Sequence, residues 1–132
     1  MKIAVLGYGT VGSGVVEVLD VNQKLIASRA KEEIEVKYVL DLRDFPGDKI
    51  QEKIVHDYEI ILNDPEIGIV VEVMGGVEPA NTFVRKALEA GKSVVTSNKA
   101  LVAKHGSALL KTAREKNVNF LFEASVGGGI PI

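Results

Sequence analysis

The chain has 132 residues, with 16 basic and 18 acidic side chains, a formal net charge of −2 and no cysteine. The nearly balanced charge argues against a general electrostatic grip on nucleic acid, and the missing thiols exclude disulfides, thiol catalysis and cysteine-bound zinc. No apolar run approaches the roughly 18–20 residues that cross a bilayer, and no signal-peptide pattern is present, so we expect a cytoplasmic protein without a membrane partner.

Five short segments have the composition of strands that are covered on both faces. Their apolar residues form nearly continuous runs instead of alternating with polar ones, which is typical of a parallel sheet. In chain order, these segments are residues 2–6, 34–41, 67–74, 92–96 and 118–123.

Helical spacing of apolar residues follows the first strand and recurs over residues 79–90 and 107–116. Pro79 suits the first turn of the second helix, Gly91 suits its C-terminal stop, and Ser107 suits the N-cap of the third. The segment 42–66 predicts only one short helix, near 57–63. The alternation of strands and helices predicts an α/β fold, a doubly wound parallel sheet of about five strands with helices on both faces.

A glycine-rich turn lies between the first strand and the first helix, with the sequence Gly7-Tyr8-Gly9-Thr10-Val11-Gly12. In this context the first glycine permits a tight turn, the second lets the backbone approach a pyrophosphate, and the third lets helix and strand pack closely. Free N–H groups at the helix N-terminus favour the phosphates. The turn predicts NAD or NADP binding on a Rossmann-type sheet; the alternative is a tight turn without a ligand.

The end of the second strand supplies both an acidic and a basic side chain. A carboxylate there accepts hydrogen bonds from the ribose of NAD, and an arginine accommodates the additional phosphate of NADP. Asp41 and Arg43 fit these roles, so the cofactor preference stays open, with a slight lean to dual use or to NADP. The gap from Gly12 to Asp41 exceeds the usual ~20 residues and requires a long first helix. The alternative is that residues 41–44 form a solvated loop.

Three later segments follow strands at the edge where a doubly wound sheet binds its ligand. They are Met74-Gly75-Gly76, Thr96-Ser97-Asn98-Lys99-Ala100 and the stretch 123–131. Gly75 would let the cofactor approach the backbone, and Thr96 and Ser97 would line its path. Lys99 is the candidate catalytic residue, because its ammonium can stand near the nicotinamide carboxamide or the reacting carbonyl. The alternative is an exposed lysine that begins a helix.

These segments resemble the signature stretches of homoserine dehydrogenase. The resemblance rests on Val71–Gly76, Thr96–Leu101, Glu123–Pro131 and the turn Gly7–Gly12, and so runs over nearly the whole chain. It implies an NAD(P)H-dependent reduction of L-aspartate 4-semialdehyde to L-homoserine, on the route to threonine and methionine, with Lys99 in contact with the cofactor. It also implies that residues 1–132 are a cofactor domain, inactive alone, and that the full-length homodimer carries a further substrate and dimerisation domain.

The same resemblance implies a monovalent cation site, usually for sodium. Its ligands would be the side chain of Glu123 and the backbone carbonyls of Val126, Gly128 and Ile130, and oxygen ligands of this kind suit hard cations. The alternative for this stretch is a turn through which the chain crosses into the next domain.

Two other functions compete with this interpretation. One is a different NAD(P)-dependent dehydrogenase with a lysine after the fourth strand, although such enzymes typically show Glu-Lys-Pro where this chain has Asn98-Lys99-Ala100. The other is a stand-alone dinucleotide-sensing module, in which Lys99 and Glu123 would have no clear purpose. His56 and His105 lie far apart in the sequence without a carboxylate-rich motif, so no metal site is predicted there.

Overall fold

The computed structural model describes residues 2–9, 12–14, 16 and 35–122. Within them, six strands form one parallel sheet in the order β3-β2-β1-β4-β5-β6. The strands are β1 (Lys2–Leu6), β2 (Glu35–Leu40), β3 (Ile54–Val55), β4 (Ile67–Glu72), β5 (Ser93–Thr96) and β6 (Phe120–Phe122). Because the chain order reverses between β1 and β4, the sheet has its switch point there.

The predicted doubly wound sheet is confirmed, and each of the five predicted strands matches one in the structure. The sixth strand, β3, was missed because it has only two residues, too few for a hydrophobic pattern. It lies at an edge and pairs with Val39 and Leu40 of β2.

Helices cover the sheet as α1 (Tyr58–Leu62), α2 (Ala80–Glu89) and α3 (Lys99–Glu115), and a 3-10 helix spans Lys49–Lys53. The short helix predicted near 57–63 is confirmed as α1, whose N-cap is Asp57. Gly91 has a φ of +83° directly after α2, the left-handed geometry expected of a glycine stop.

The prediction of Ser107 as an N-cap is wrong. Helix α3 begins at Lys99, where Asn98 is the N-cap and its side chain accepts a hydrogen bond from Leu101 N. The buried stripe of α3 already starts at Leu101 and continues through Leu109, so Ser107 lies inside the helix. The real helix is longer because a strong cap was available nine residues earlier than the predicted one.

Two apolar clusters show that both faces of the sheet are covered near β1. Ala4 and Leu6 point into the larger cluster, which holds residues of α1, α2 and α3. Val5 points the other way and packs with Val16, which lies in the first helix, directly after the glycine-rich turn and before α1. This alternation along one strand is what burial on both faces requires.

One charged side chain, that of Lys92, ties β4 and β5 together at the amino end of the sheet. Lys92, which is 5% exposed, donates from its ammonium to the carbonyls of Asp64 (2.8 Å) and Ile67 (2.9 Å). Burial lowers the pKa of Lys92. The contacts that hold this amino end of the sheet therefore do not involve the carboxyl ends of the strands, where the glycine-rich turn lies.

Among the described helices, none is long and apolar enough to cross a membrane.

Candidate dinucleotide site

A cleft of about 550 Å³ opens at the carboxyl ends of β1, β2 and β4. This is the switch point of the sheet, where open α/β folds bind their ligands. The cleft is lined by three groups of residues from separate parts of the chain: Gly7, Tyr8 and Gly9; Leu40 to Arg43 with His56 and Tyr58; and Val73, Met74, Gly75, Pro79 and Phe83.

The glycine-rich turn is as tight as the sequence predicts. Gly7 has a φ of +101°, and a Cβ there would lie 3.1 Å from Met74 Cγ. A Cβ on Gly12 would lie 2.1 Å from Gly7 O, so the first helix packs directly against the turn. Nothing lies within 4 Å of a Cβ placed on Gly9, which leaves the backbone open to the cleft. Thr10 and Val11 lie outside the described residues.

Asp41 and Arg43 are brought together, but chiefly with each other. Both carboxylate oxygens of Asp41 accept from the Arg43 side chain at 3.0 Å, and Oδ2 also accepts from Tyr8 N at 2.9 Å. The Arg43 hydrogen bonds, with that of the Tyr8 amide, hold the pKa of Asp41 down to about 2. The sequence predicted an acid and a base for separate ligand groups; in the structure the two side chains are bonded to each other.

Aromatic rings support the exposed arginine. The Arg43 guanidinium lies 5.1 Å from the centroid of the Phe45 ring, and that ring meets the Tyr8 ring edge-on at 4.9 Å. Arg43 is therefore positioned by Phe45 as well as by Asp41, although its side chain is 62% exposed.

His56 lies in the cleft wall, a position to which the sequence analysis gave no role. Its Nδ1 lies 2.7 Å from Asp41 O and its Nε2 lies 2.9 Å from Asp44 Oδ1. Both ring nitrogens face acceptors, an arrangement that favours the protonated ring. The backbone carbonyl of Asp41 and the Asp44 carboxylate raise the pKa of His56. No local signal marks this residue, because only the pairing of β3 with β2 brings it beside Asp41.

The loops after β4 and β5 form the other half of the same edge. Gly75 and Gly76 have φ values of +82° and +75°, and Gly75 lines the cleft. Thr96 and Ser97 follow on β5 and its loop, one strand further along, and Lys99 is exposed at the first position of α3. The cleft lining includes Gly75 but not Thr96, Ser97 or Lys99, whose contacts with a cofactor stay predictions.

The predicted cation ligands Glu123, Val126, Gly128 and Ile130 all lie outside the described residues. In the part of the chain that is described, no three histidine, aspartate or glutamate side chains come together as metal ligands would.

A parallel doubly wound sheet with a glycine turn at its switch-point cleft defines the Rossmann class of α/β domains. Residues 7–123 match the family model described as the NAD binding domain of homoserine dehydrogenase. The homoserine dehydrogenase of Pseudomonas aeruginosa is 45% identical over 133 residues, covering 100% of this chain and 31% of that protein. That of Lactococcus lactis is 43% identical over 141 residues, covering 100% of this chain and 32% of that protein.

Solved structures agree with the sequence comparison. The crystal structure of Staphylococcus aureus homoserine dehydrogenase at pH 6.0 has a TM-score of 0.89 and 42% identity, covering 99% of this chain and 35% of that one. A hyperthermophilic archaeal homoserine dehydrogenase in complex with NADPH shares the fold, with a TM-score of 0.74 and 24% identity over 93% of this chain and 43% of that one.

The chain therefore belongs to the homoserine dehydrogenase family and corresponds to its NAD-binding domain. It spans about a third of the length of the curated relatives that it matches. The resemblance found in the sequence is confirmed.

Proposed function

We propose that the chain is the cofactor domain of an enzyme that reduces L-aspartate 4-semialdehyde to L-homoserine with NAD(P)H. The observation that carries the proposal is the family match over residues 7–123, which includes the cleft with its Gly7–Gly12 turn and the loop that holds Lys99. Residues 1–132 would supply cofactor binding, and a further domain of the parent protein would supply substrate binding and dimerisation.

The residues that are present fit a dinucleotide. The space above Gly9 leaves room for the pyrophosphate beside the first helical turn, where free N–H groups favour anions. Asp41 and Arg43 would meet the adenosine ribose, and Gly75, Thr96, Ser97 and Lys99 would serve the nicotinamide half. When bound, the cofactor supplies the hydride. The Lys99 ammonium, exposed at the N-terminus of α3, would hold the negative charge that develops on the substrate oxygen.

Cofactor choice would follow from the Asp41–Arg43 pair. The additional phosphate of NADP would take Arg43 from the carboxylate, while the ribose hydroxyls of NAD would donate to Asp41 in place of Arg43. A protonated His56 would add to the attraction for a phosphate at this edge. We propose dual use with NADP favoured.

We also propose a monovalent cation site, for which sodium is the expected ion. The support is the family membership together with the oxygen ligands that Glu123, Val126, Gly128 and Ile130 would offer. Glu123→Gln in the full-length protein should weaken sodium binding, and unchanged sodium occupancy in crystals of the variant would contradict the proposed site.

The parent protein is further proposed to be a cytoplasmic homodimer, which sedimentation of the purified protein and localisation in cells can test.

A steady-state assay of the full-length parent protein tests the main proposal. With aspartate 4-semialdehyde and NADPH, we expect oxidation of the cofactor and formation of homoserine. Cofactor binding without turnover would instead support a dinucleotide-sensing module, and binding of neither cofactor by folded protein would contradict the site itself.

A further inference from the structure

Glu72, the last residue of β4, is a fully buried acidic side chain to which the proposed function gives no role. Both of its carboxylate oxygens accept hydrogen bonds. The Thr96 hydroxyl donates to Oε1 at 2.6 Å, and Met74 N donates to Oε2 at 2.8 Å. Among the described residues, no lysine, arginine or histidine forms an ion pair with Glu72.

The hydrogen bonds continue from Thr96 to the loop after β4. Thr96 Oγ1 accepts from Asn98 N at 3.0 Å, and the Asn98 amide donates to Gly76 O at 2.5 Å. The other side-chain atom of Asn98, Oδ1, caps α3 by accepting from Leu101 N at 3.1 Å. Glu72 therefore stands at the centre of a network that joins the loop Met74–Gly76 to the turn Thr96–Asn98, directly before Lys99.

Both oxygens of the Glu72 carboxyl group are used by these hydrogen bonds. Burying a carboxyl group is costly, and an apolar residue would serve the sheet alone at a lower cost. A glutamine has one accepting oxygen where the carboxylate has two, so it can keep only one of these two hydrogen bonds as it stands. One acceptor holds Met74 in the loop after β4, and the other holds Thr96, the last residue of β5 and the ladder partner of Glu72.

We propose that Glu72 is a positioning residue for the nicotinamide half of the cofactor, because it fixes the loop after β4 and the start of α3 relative to each other. This inference rests on the proposed function, since it presumes a dinucleotide in the cleft. Glu72 acts through Gly75 and Lys99, whereas Asp41 and Arg43 of the adenosine half follow β2 and bond to each other and to Tyr8.

The test compares two ligands on the full-length parent protein by calorimetric titration. ADP has the adenosine and phosphates but no nicotinamide, whereas NADPH has both halves. For Glu72→Gln, we expect the Kd of NADPH to rise about tenfold while that of ADP stays within about twofold, as the loss of one charge-assisted hydrogen bond predicts. Equal changes for both ligands, or no change for either, would overturn the proposal.

Two further variants keep the test decisive if Glu72→Gln folds poorly. Asn98→Asp keeps the cap on α3 but removes the donor to Gly76 O, so it should weaken NADPH several-fold and leave ADP unchanged. Lys92→Met is the matched control, because Lys92 is a buried charge that ties the same two strands at their amino ends. It should lower the melting temperature and leave both affinities unchanged. If wild-type protein binds neither ADP nor NADPH, the proposed function fails and not this inference alone.

Discussion

Two carboxylates mark the two halves of the cleft edge, and their surroundings differ. Asp41, which follows β2, is paired with an arginine that is 62% exposed, whereas Glu72, which ends β4, is buried and holds a hydroxyl and an amide. The Asp41 side chain is only 9% exposed, but its arginine partner is open to solvent and can turn to a ligand, whereas the fully buried Glu72 has to keep its hydrogen bonds. One half of the edge is therefore suited to change partners when a ligand arrives, and the other is suited to stay fixed.

The largest expected effect is on cofactor binding at the glycine-rich turn, which serves both halves of the site. Gly12→Ala would place a Cβ 2.1 Å from Gly7 O, so the first helix has to move and the turn opens. We expect binding of ADP and NADPH to fall together by about a hundredfold or more in the parent protein, since both ligands carry the phosphates.

Gly14→Ala is the matched control, because nothing lies within 4 Å of a Cβ at that helical position. Replacing a helical glycine with alanine should stabilise the protein by up to about 1 kcal/mol without changing either affinity. Calorimetry and thermal melting measure both variants. Equal effects of the two substitutions would show that close packing at Gly12 does not hold the turn.

Lys99 offers the next largest effect, on the fixed half alone. Lys99→Ala in the full-length enzyme should lower kcat/KM by about tenfold or more, because a positive charge near the developing alkoxide is lost. The affinity for ADP should not change, since that ligand does not reach α3. Steady-state kinetics with aspartate 4-semialdehyde make the measurement. Unchanged kinetics would remove the proposed catalytic role.

Arg43 tests the half of the cleft edge that is suited to change partners, through the preference for NADPH over NADH. Arg43→Leu removes the partner for the additional phosphate of NADP and frees the Asp41 carboxylate for the ribose hydroxyls of NAD. The ratio of NADPH to NADH affinity should fall by about five- to tenfold, an effect typical of one charge-assisted contact. Titrations with both cofactors test this, and Arg85→Leu, on α2 and outside the cleft lining, is the control. An unaltered ratio would place the additional phosphate elsewhere.

The smallest expected effect is on stability in acid. Because the pKa of Asp41 is held down to about 2, its ion pair with Arg43 stabilises the folded state above the ordinary carboxyl pKa near 4. This contribution disappears as the pH falls from about 4 to about 2. Thermal melts over this range should show a fall in melting temperature that is smaller by a few degrees in Asp41→Asn than in the wild type. A remaining fall is expected in the variant, because Lys37 also lowers the pKa of Asp64 to about 2. A steeper drop in the variant than in the wild type would contradict the assignment.

The two halves also differ in how well the sequence predicts them. The glycine turn, Asp41 and Arg43 lie in short, local motifs, so their presence at the cleft followed from the pattern after two strands. That they bind each other did not follow, because it depends on side-chain conformations within the loop. The Glu72 network escaped prediction because Thr96 is 24 residues away and meets Glu72 only through the pairing of β4 with β5.

A usable signal was nevertheless present in the sequence. Glu72 interrupts an otherwise apolar run in a strand predicted to be buried on both faces, and such a charge requires specific partners. For α3 the sequence pattern misled, and the predicted helix began too late. Lys104 and His105 lie in its first turns and hid the apolar stripe that begins at Leu101. The N-cap at Asn98 was the better guide to its start.

The lengths of the strands have a consequence for how the domain behaves at high concentration. The edge strand β3 has two residues, whereas its neighbour β2 has six. A neighbouring molecule that sought to extend the sheet along β3 would find few free backbone groups on that strand. A short edge strand of this kind discourages the strand-by-strand growth that begins many aggregates.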